Sequence, residues 1–294
     1  MSSGLLSLIS VPPLPRLAML ALACAALGGC GDNTPAEPAS APLAEPAAPA
    51  AASRFEVVSD GSAVDFLMEA PLEHIHGRAP SSVHGELSVD LGQLATSTAL
   101  VRIDLLQLEV LQQKRESAEQ AFGEEVRNET QNEHVRTWFE ISPDAPADVR
   151  EANRWAEFRV ERVDELSAAD VTALTGPERT VQATLHGQLR IHGHTVPKTA
   201  RVELTFTYDG EQATSVRVRS LAPVEVGLEE FDIRPRSAFG TLAQRTLAAL
   251  GEKVATAAPI TFDFRATSAS GAAAPAAAAP AAAAPAAAAP AAAP

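Results

Sequence analysis

Alternating apolar and polar residues are the dominant pattern in the middle of the chain. In "TALVRIDLLQLEV" (98–110), Val101, Ile103 and Leu105 share one face, and charged residues lie between them. A period of two is typical of a β-strand with one buried face. The segment therefore predicts a strand of an antiparallel sheet that has one face exposed to solvent.

Two longer segments, 180–191 and 200–210, show the same alternation on either side of a turn. Shorter runs of the same kind predict further strands, which brings the total to about eight or nine. The apolar faces of the two long segments carry Val181, Ala183, Leu185, Leu189 and Ile191, then Val202, Leu204, Phe206 and Tyr208. The further candidates are 54–58, 62–69, 83–91, 157–163, 214–226 and 259–266.

Helical patterns occur in two places. The stretch 113–138 is polar and rich in helix-forming residues, and 238–253 is amphipathic and stopped by Gly251. A single sheet with so many strands must close or fold over. We therefore predict an all-β fold, an extended antiparallel β-barrel of about eight strands with one or two short helices, and the alternative is a two-sheet sandwich.

Closure at about eight strands leaves an interior that is either filled by side chains or wide enough for one slim ligand. A slim hydrocarbon chain that buries about 600 Å² would gain roughly 15 kcal/mol of binding free energy before the loss of its freedom of motion, which reduces the affinity to the micromolar-to-nanomolar range. Both a dry core and a ligand tunnel fit the pattern. The candidate lining residues are Val101, Ile103, Leu105, Val181, Ala183, Leu185, Leu189, Val202, Leu204 and Phe206.

Charge and aromatic content exclude one class of partner. The net charge is −14, and the chain has one Tyr and two Trp. An acidic surface repels phosphate backbones, and so few aromatic rings cannot form a base-stacking platform. We therefore expect no nucleic-acid binding.

The N-terminus predicts an export signal. Arg16 precedes a short apolar run, and residues 1–29 read as a signal peptide that is too short to span a membrane comfortably. The ending Leu27-Gly28-Gly29-Cys30 resembles the bacterial lipobox, in which the cysteine becomes lipidated, and Gly31 favours the outer membrane. An ordinary secretory signal is the alternative. We expect a lipid-anchored protein of the bacterial cell envelope, at the outer membrane and facing the periplasm.

Low-complexity segments flank the patterned region. Residues 30–53 are rich in Pro and Ala and predict an extended tether, and 268–294 repeat Ala₄-Pro and predict a disordered tail whose role stays open. The folded domain is therefore expected at 54–267. Its oligomeric state, monomer or homodimer, also stays open.

Two His-x-His pairs raise the question of a metal site. His192 and His194 flank Gly193 at a predicted hairpin turn, and His74 and His76 lie between two predicted strands. Two ligands do not complete a structural zinc site, which takes four, so a site would need the pairs to meet. We predict a hairpin with hydrogen-bonded or solvated imidazoles and no metal, and keep the four histidines as minor candidates.

Sequence motifs of catalysis are not found. The chain has no G-x-S-x-G and no phosphate-cradling glycine loop, and both cysteines, Cys24 and Cys30, precede the predicted domain. Acidic pairs such as Glu229-Glu230 are expected on the solvated surface. We predict a binding protein rather than an enzyme, with no resident cofactor.

The hairpin segment "GQLRIHGHTVPKTARVELTFTYDG" (187–210) resembles the late hairpin of YceI-like domains. The segments 53–91, 132–141 and 250–267 resemble other parts of that family in the same order, so the resemblance covers 54–267. It implies a lipocalin-like barrel with an internal tunnel that holds isoprenoid chains such as polyprenyl quinones. It also implies a secreted location.

Overall fold

The computed structural model describes residues 40–234 and 256–269, where it contains twelve β-strands and two α-helices. The predicted signal peptide, Cys30, the predicted helix at 238–253 and nearly all of the tail lie outside these ranges. The elements are β1 (Ser53–Ala70), β2 (Glu73–Arg78), β3 (Val83–Val89), β4 (Thr98–Asp104), β5 (Glu109–Lys114), β6 (Val126–Arg127), α1 (Glu129–Trp138), α2 (Ala147–Asn153), β7 (Trp155–Asp164), β8 (Glu178–Ile191), β9 (His194–Asp209), β10 (Gln212–Ser220), β11 (Val224–Gly227) and β12 (Ala257–Ser268).

Eight of these strands close into a barrel in the order β1-β3-β4-β7-β8-β9-β10-β12 and back to β1. Every pairing is antiparallel, and β8 and β9 stay in register from Glu178↔Thr207 to Ile191↔His194. The pairing of β1 with β12 closes the circle, so each of the eight strands pairs with a neighbour on both sides. The predicted closed barrel is confirmed, and the two-sheet sandwich is not formed.

The expected position of His74 and His76 needs correction. His74 and His76 were expected between strands, but both lie within β2, which pairs with the far end of β1 and with β5 outside the barrel. Phe66 explains this pairing, because its ring covers the backbone of Gly77 opposite and a side chain at Gly77 would collide with it. The hairpin of β1 and β2 therefore extends one wall of the barrel.

Two other expectations need correction. The alternation in 98–110 does not continue through Leu105, because the Asp104 side chain accepts a hydrogen bond from the Leu106 amide and starts a 3-10 turn there. The predicted helix 113–138 is helical only from Glu129 onwards, where the Asn128 side chain caps its first turn. Among the residues described, no helix is long and apolar enough to cross a membrane.

One end of the barrel is closed by two loops, and we call it the plugged end. The loop between β7 and β8 packs on the loop between β3 and β4, where the Val171 amide donates to the Leu91 carbonyl at 2.8 Å and the Leu94 amide to the Ala169 carbonyl at 3.0 Å. Val171 and Leu94 are fully buried. Their burial means that this end is sealed by packed side chains.

The opposite end, the capped end, carries the turn between β8 and β9. Here the last residue of α1 and those after it, together with the end of β11 and the residues after it, fold over the strand ends. We call these two segments, 138–141 and 226–233, the cap. They form a second apolar cluster with the barrel wall. Its buried members are Leu105, Ile141, Ala156, Leu189, Ile191, Val226, Phe231 and Ile233.

Residues 40–52, which we call the arm, lie along the outer wall of the barrel. The Ser40 amide donates to the Gly193 carbonyl at 2.5 Å, and the Leu43 amide donates to a Glu157 carboxylate oxygen at 2.9 Å. Leu43 is 9% exposed. The arm belongs to the segment 30–53 that the composition assigns to a tether; that boundary stays a prediction, but the described part of it is attached to the barrel.

Candidate functional site: the space between two apolar clusters

The barrel interior holds two packed apolar clusters, and partly exposed apolar side chains lie between them. The first cluster lies toward the plugged end and includes Phe55, Val202 and Phe206, each at 0% exposure, and the second is the cluster at the capped end. Phe158 and Val224 contact both clusters but stay partly exposed. An inward apolar side chain keeps exposed surface only where no protein atom covers it. We therefore infer that these residues border open space, which we call the lumen.

More inward-facing residues share this partial exposure. They occupy the middle of the barrel and the part near the cap, on β1, β4, β8, β9 and β12. They are Val64, Val101, Ile103, Leu185, Val196, Ile260 and Phe262. The lumen is therefore apolar around its circumference, which suits a chain without polar groups.

The structure divides the ten predicted lining residues into three groups. Val101, Ile103 and Leu185 are partly exposed and border the lumen, whereas Leu204, at 9% exposure, is buried in the first cluster. Leu105 and Leu189 belong to the cluster at the capped end. Val181, Ala183, Val202 and Phe206 are packed in the first cluster. All ten are in apolar clusters, but their contact with a ligand stays a prediction.

Sequence reasoning did not select several lumen residues. Phe158 and Phe262 lie within predicted strands, so the alternation could have found them if the large side chains of each strand had been compared. Val196 could not be found in this way, because it follows the turn in a stretch broken by Pro197. The strand pairing brings Leu189 between Val196 and Phe158.

One polar atom lies within the first cluster. The Tyr208 hydroxyl is buried, and among the described residues it has no hydrogen-bond partner. Burial raises the pKa of this phenol, and the Arg179 guanidinium over its ring, 3.6 Å from the centroid, partly opposes the shift. Tyr208 lies near the plugged end, where its amide donates to the Pro177 carbonyl at 2.7 Å.

A charged cluster lies on the outer wall beneath the arm. Glu157 accepts hydrogen bonds from Arg102 at 3.0 Å and from Arg190 at 3.4 Å, and both Glu157 and Arg190 are almost completely buried. A cavity of about 680 Å³ opens beside them, also lined by Trp155 and His84. This cavity lies on the outer wall rather than in the barrel interior, and charged side chains share its lining with Trp155 and Pro42.

The two His-x-His pairs lie in different surroundings. His74 stacks on Phe122, with 3.7 Å between ring centroids, and His76 pairs with Glu125 at 2.8 Å. His192 and His194 lie at the capped end, with 6.2 Å between their ring centroids. Within the described ranges, the group of three potential metal ligands contains neither His74 nor His76, so the combined four-histidine site is not formed.

Comparison with known proteins identifies the domain. A family model described as the YceI-like domain matches residues 55–266. The chain is also similar in structure to a polyisoprenoid binding domain from Saccharophagus degradans implicated in plant cell wall breakdown, with 15% identity and a TM-score of 0.42 over 73% of this chain and 98% of that one. A second similar structure is Burkholderia cenocepacia BcnA, with 15% identity and a TM-score of 0.39 over 70% and 96%. No curated protein sequence matches the chain.

Proposed function

Because this chain belongs to the YceI-like domain family, we propose that its barrel binds one isoprenoid-like or other amphiphilic chain and catalyses no reaction. The observation that carries the proposal is the partial exposure of inward apolar residues between two packed clusters. A slim hydrocarbon chain would fill this space without any polar contact, and removing the wall residues from water supplies the driving force.

The two ends of the barrel favour one direction of entry. The plugged end is sealed by Val171 and Leu94, which are fully buried. Lumen residues such as Val196 and Ile260 instead adjoin the cap, which consists of short segments rather than barrel strands. We infer that the ligand enters between the cap and the strand ends, with its tail directed toward the first cluster.

The proposal is tested by extracting the purified full chain with organic solvent and identifying the released lipids by mass spectrometry. The stripped protein is then titrated with a polyprenyl quinone, and quenching of tryptophan fluorescence is measured. We expect a co-purified lipid and saturable binding of one quinone per chain. A chain that carries no lipid and takes up no quinone would instead favour a structural or interaction module with a filled core.

A pair of matched variants separates the lumen from the surface. Leu185→Trp places a large ring in the lumen, whereas Leu106→Trp places the same ring at an exposed turn, where the leucine is 39% exposed. We expect the first substitution to weaken quinone binding at least tenfold and the second to leave it unchanged. Far-ultraviolet circular dichroism establishes that both variants keep the barrel.

The location is a second part of the proposal. We propose that Cys30 carries acyl chains that hold the protein at the outer membrane, facing the periplasm, because Leu27-Gly28-Gly29-Cys30 resembles a lipobox. Metabolic labelling with a fatty acid should label the full chain but not its Cys30→Ala variant. Label that persists in the variant, or the absence of label from both the native chain and the variant, would contradict the proposed lipid anchor at Cys30.

A further inference from the structure

Three potential metal ligands meet at the capped end of the barrel. Each of His192, His194 and Asp232 offers a ligand atom, and these atoms all lie within 4.8 Å of one another. The two histidines come from the turn between β8 and β9, and the aspartate comes from the cap. The sequence separates them by about forty residues, so only the fold brings them together.

Both nitrogens of the His192 ring face oxygen acceptors. Nδ1 lies 3.2 Å from the Phe231 carbonyl, and Nε2 lies 3.0 Å from a carboxylate oxygen of Glu140. A neutral imidazole has one N–H, so it can donate to only one of these oxygens. The ring is 6% exposed, so both of its nitrogens are held by protein groups rather than by solvent.

The backbone around this cluster is strained. Five non-glycine residues in the described ranges have positive φ, and three of them meet here: His192 at 49°, Asp232 at 50° and Glu140 at 55°. Such conformations cost free energy and persist where the surroundings hold them, often at binding sites. Each residue lies at its own turn: His192 in the turn between β8 and β9, Asp232 at the end of the 3-10 turn Glu229–Phe231, and Glu140 just after α1.

We propose that His192, His194 and Asp232 bind a divalent transition-metal ion such as zinc, with Glu140 at the side of the site. Two imidazoles and a carboxylate are a ligand set that zinc accepts. Whichever nitrogen of His192 binds the ion, the other faces an oxygen acceptor, the Phe231 carbonyl or the Glu140 carboxylate, which would accept its N–H and fix the ring. A bound ion needs ligand atoms about 2.0–2.2 Å away, so the three atoms must draw together slightly.

The charges around the site are compatible with the binding of a metal ion. Arg234 now pairs with Asp232 at 2.7 Å, and it is 70% exposed, so it can turn into solvent when an ion takes its place. The site joins the barrel wall to both segments of the cap, through Glu140 on one and Asp232 on the other. A bound ion would therefore fasten the cap to the turn between β8 and β9.

The test uses the untagged full chain, treated with a chelator and then titrated with Zn²⁺ by calorimetry, with the zinc content confirmed by elemental mass spectrometry. Two variants remove ligands without burying new groups: His194→Gln and Asp232→Asn, since asparagine also tolerates positive φ. His186→Gln is the matched control, because His186 pairs with Asp164 at 2.9 Å on the outer wall.

We expect one zinc ion per chain, at least tenfold weaker binding in His194→Gln and in Asp232→Asn, and unchanged binding in the control. Adding zinc should raise the midpoint temperature of thermal unfolding of the native chain but not of the two variants. Failure to bind zinc at 1:1, or binding that the control substitution weakens as much as the other two, would overturn the proposal. Lipid content is read separately, so this result is independent of the proposed function.

Discussion

A matched pair of leucine truncations tests whether the barrel contains open space. Leu94 is 1% exposed and packs at the plugged end, whereas Leu185 points inward from β8 but stays partly exposed. Leu94→Ala and Leu185→Ala remove the same atoms, so any difference in stability reports on the surroundings. We expect Leu94→Ala to cost clearly more free energy of unfolding.

The magnitudes follow from burial. Truncating leucine to alanine removes about three methylene equivalents, or roughly 2.4 kcal/mol of transfer free energy when the side chain is fully buried. At Leu94 a closed cavity adds to this, so the total should reach about 3–4.5 kcal/mol. At Leu185 part of the side chain is already exposed and the space beside it is open, so we expect about 1.5–2 kcal/mol.

The measurement is urea unfolding of the lipid-stripped full chain, followed by circular dichroism and fluorescence together. Equal slopes against urea in the three proteins would establish that the denatured states are comparable. Quinone affinity should fall in Leu185→Ala and stay unchanged in Leu94→Ala. Equal losses of about 3 kcal/mol or more at both positions would refute the reasoning, because they would mean that the interior at Leu185 is packed solid.

Three further substitutions test other features by the same unfolding assay. Tyr208→Phe should raise the free energy of unfolding by about 1 kcal/mol, because it removes a buried hydroxyl without a partner; a loss would indicate a missed hydrogen bond. Glu157→Gln should cost about 3 kcal/mol, since it leaves buried arginine charge uncompensated, while Glu161→Gln on the exposed surface should change little; equal effects would contradict this. Gly187→Ala should cost about 2–3 kcal/mol, because its Cβ would lie 2.0 Å from the Arg159 carbonyl oxygen; a neutral result would show that β7 shifts freely.

The sequence predicted the barrel because alternation is a local consequence of burying one face of a strand. The apolar positions of β8 and β9, from Val181 to Tyr208, were found in this way. The strand β2 was missed, since Ile75 is its one bulky apolar residue and its pairing with β1 and β5 holds it in place. Alternation gives no signal for a strand of that kind.

The site was less predictable for two physical reasons. Alternation shows which way a side chain points but not how much space lies beside it, so the buried Val202 and the partly exposed Leu185 look alike in sequence. The alternation also does not show which segments of the chain cover the outer face of the barrel wall. Arg190 was correctly placed outward, yet the arm buries it, and Asp232 meets His192 only because the cap folds back.

The attachment of the arm determines how the barrel would stand on a membrane. Ser40 is already hydrogen-bonded to Gly193 at the capped end, so only ten residues (40 − 30) separate that point from Cys30. A fully extended chain of that length reaches about 35 Å, against about 80 Å for the 23 residues (53 − 30) of an unattached tether. An acylated Cys30 would therefore hold the capped end, where the entrance is proposed, within about 35 Å of the lipid layer from which the ligand is proposed to come.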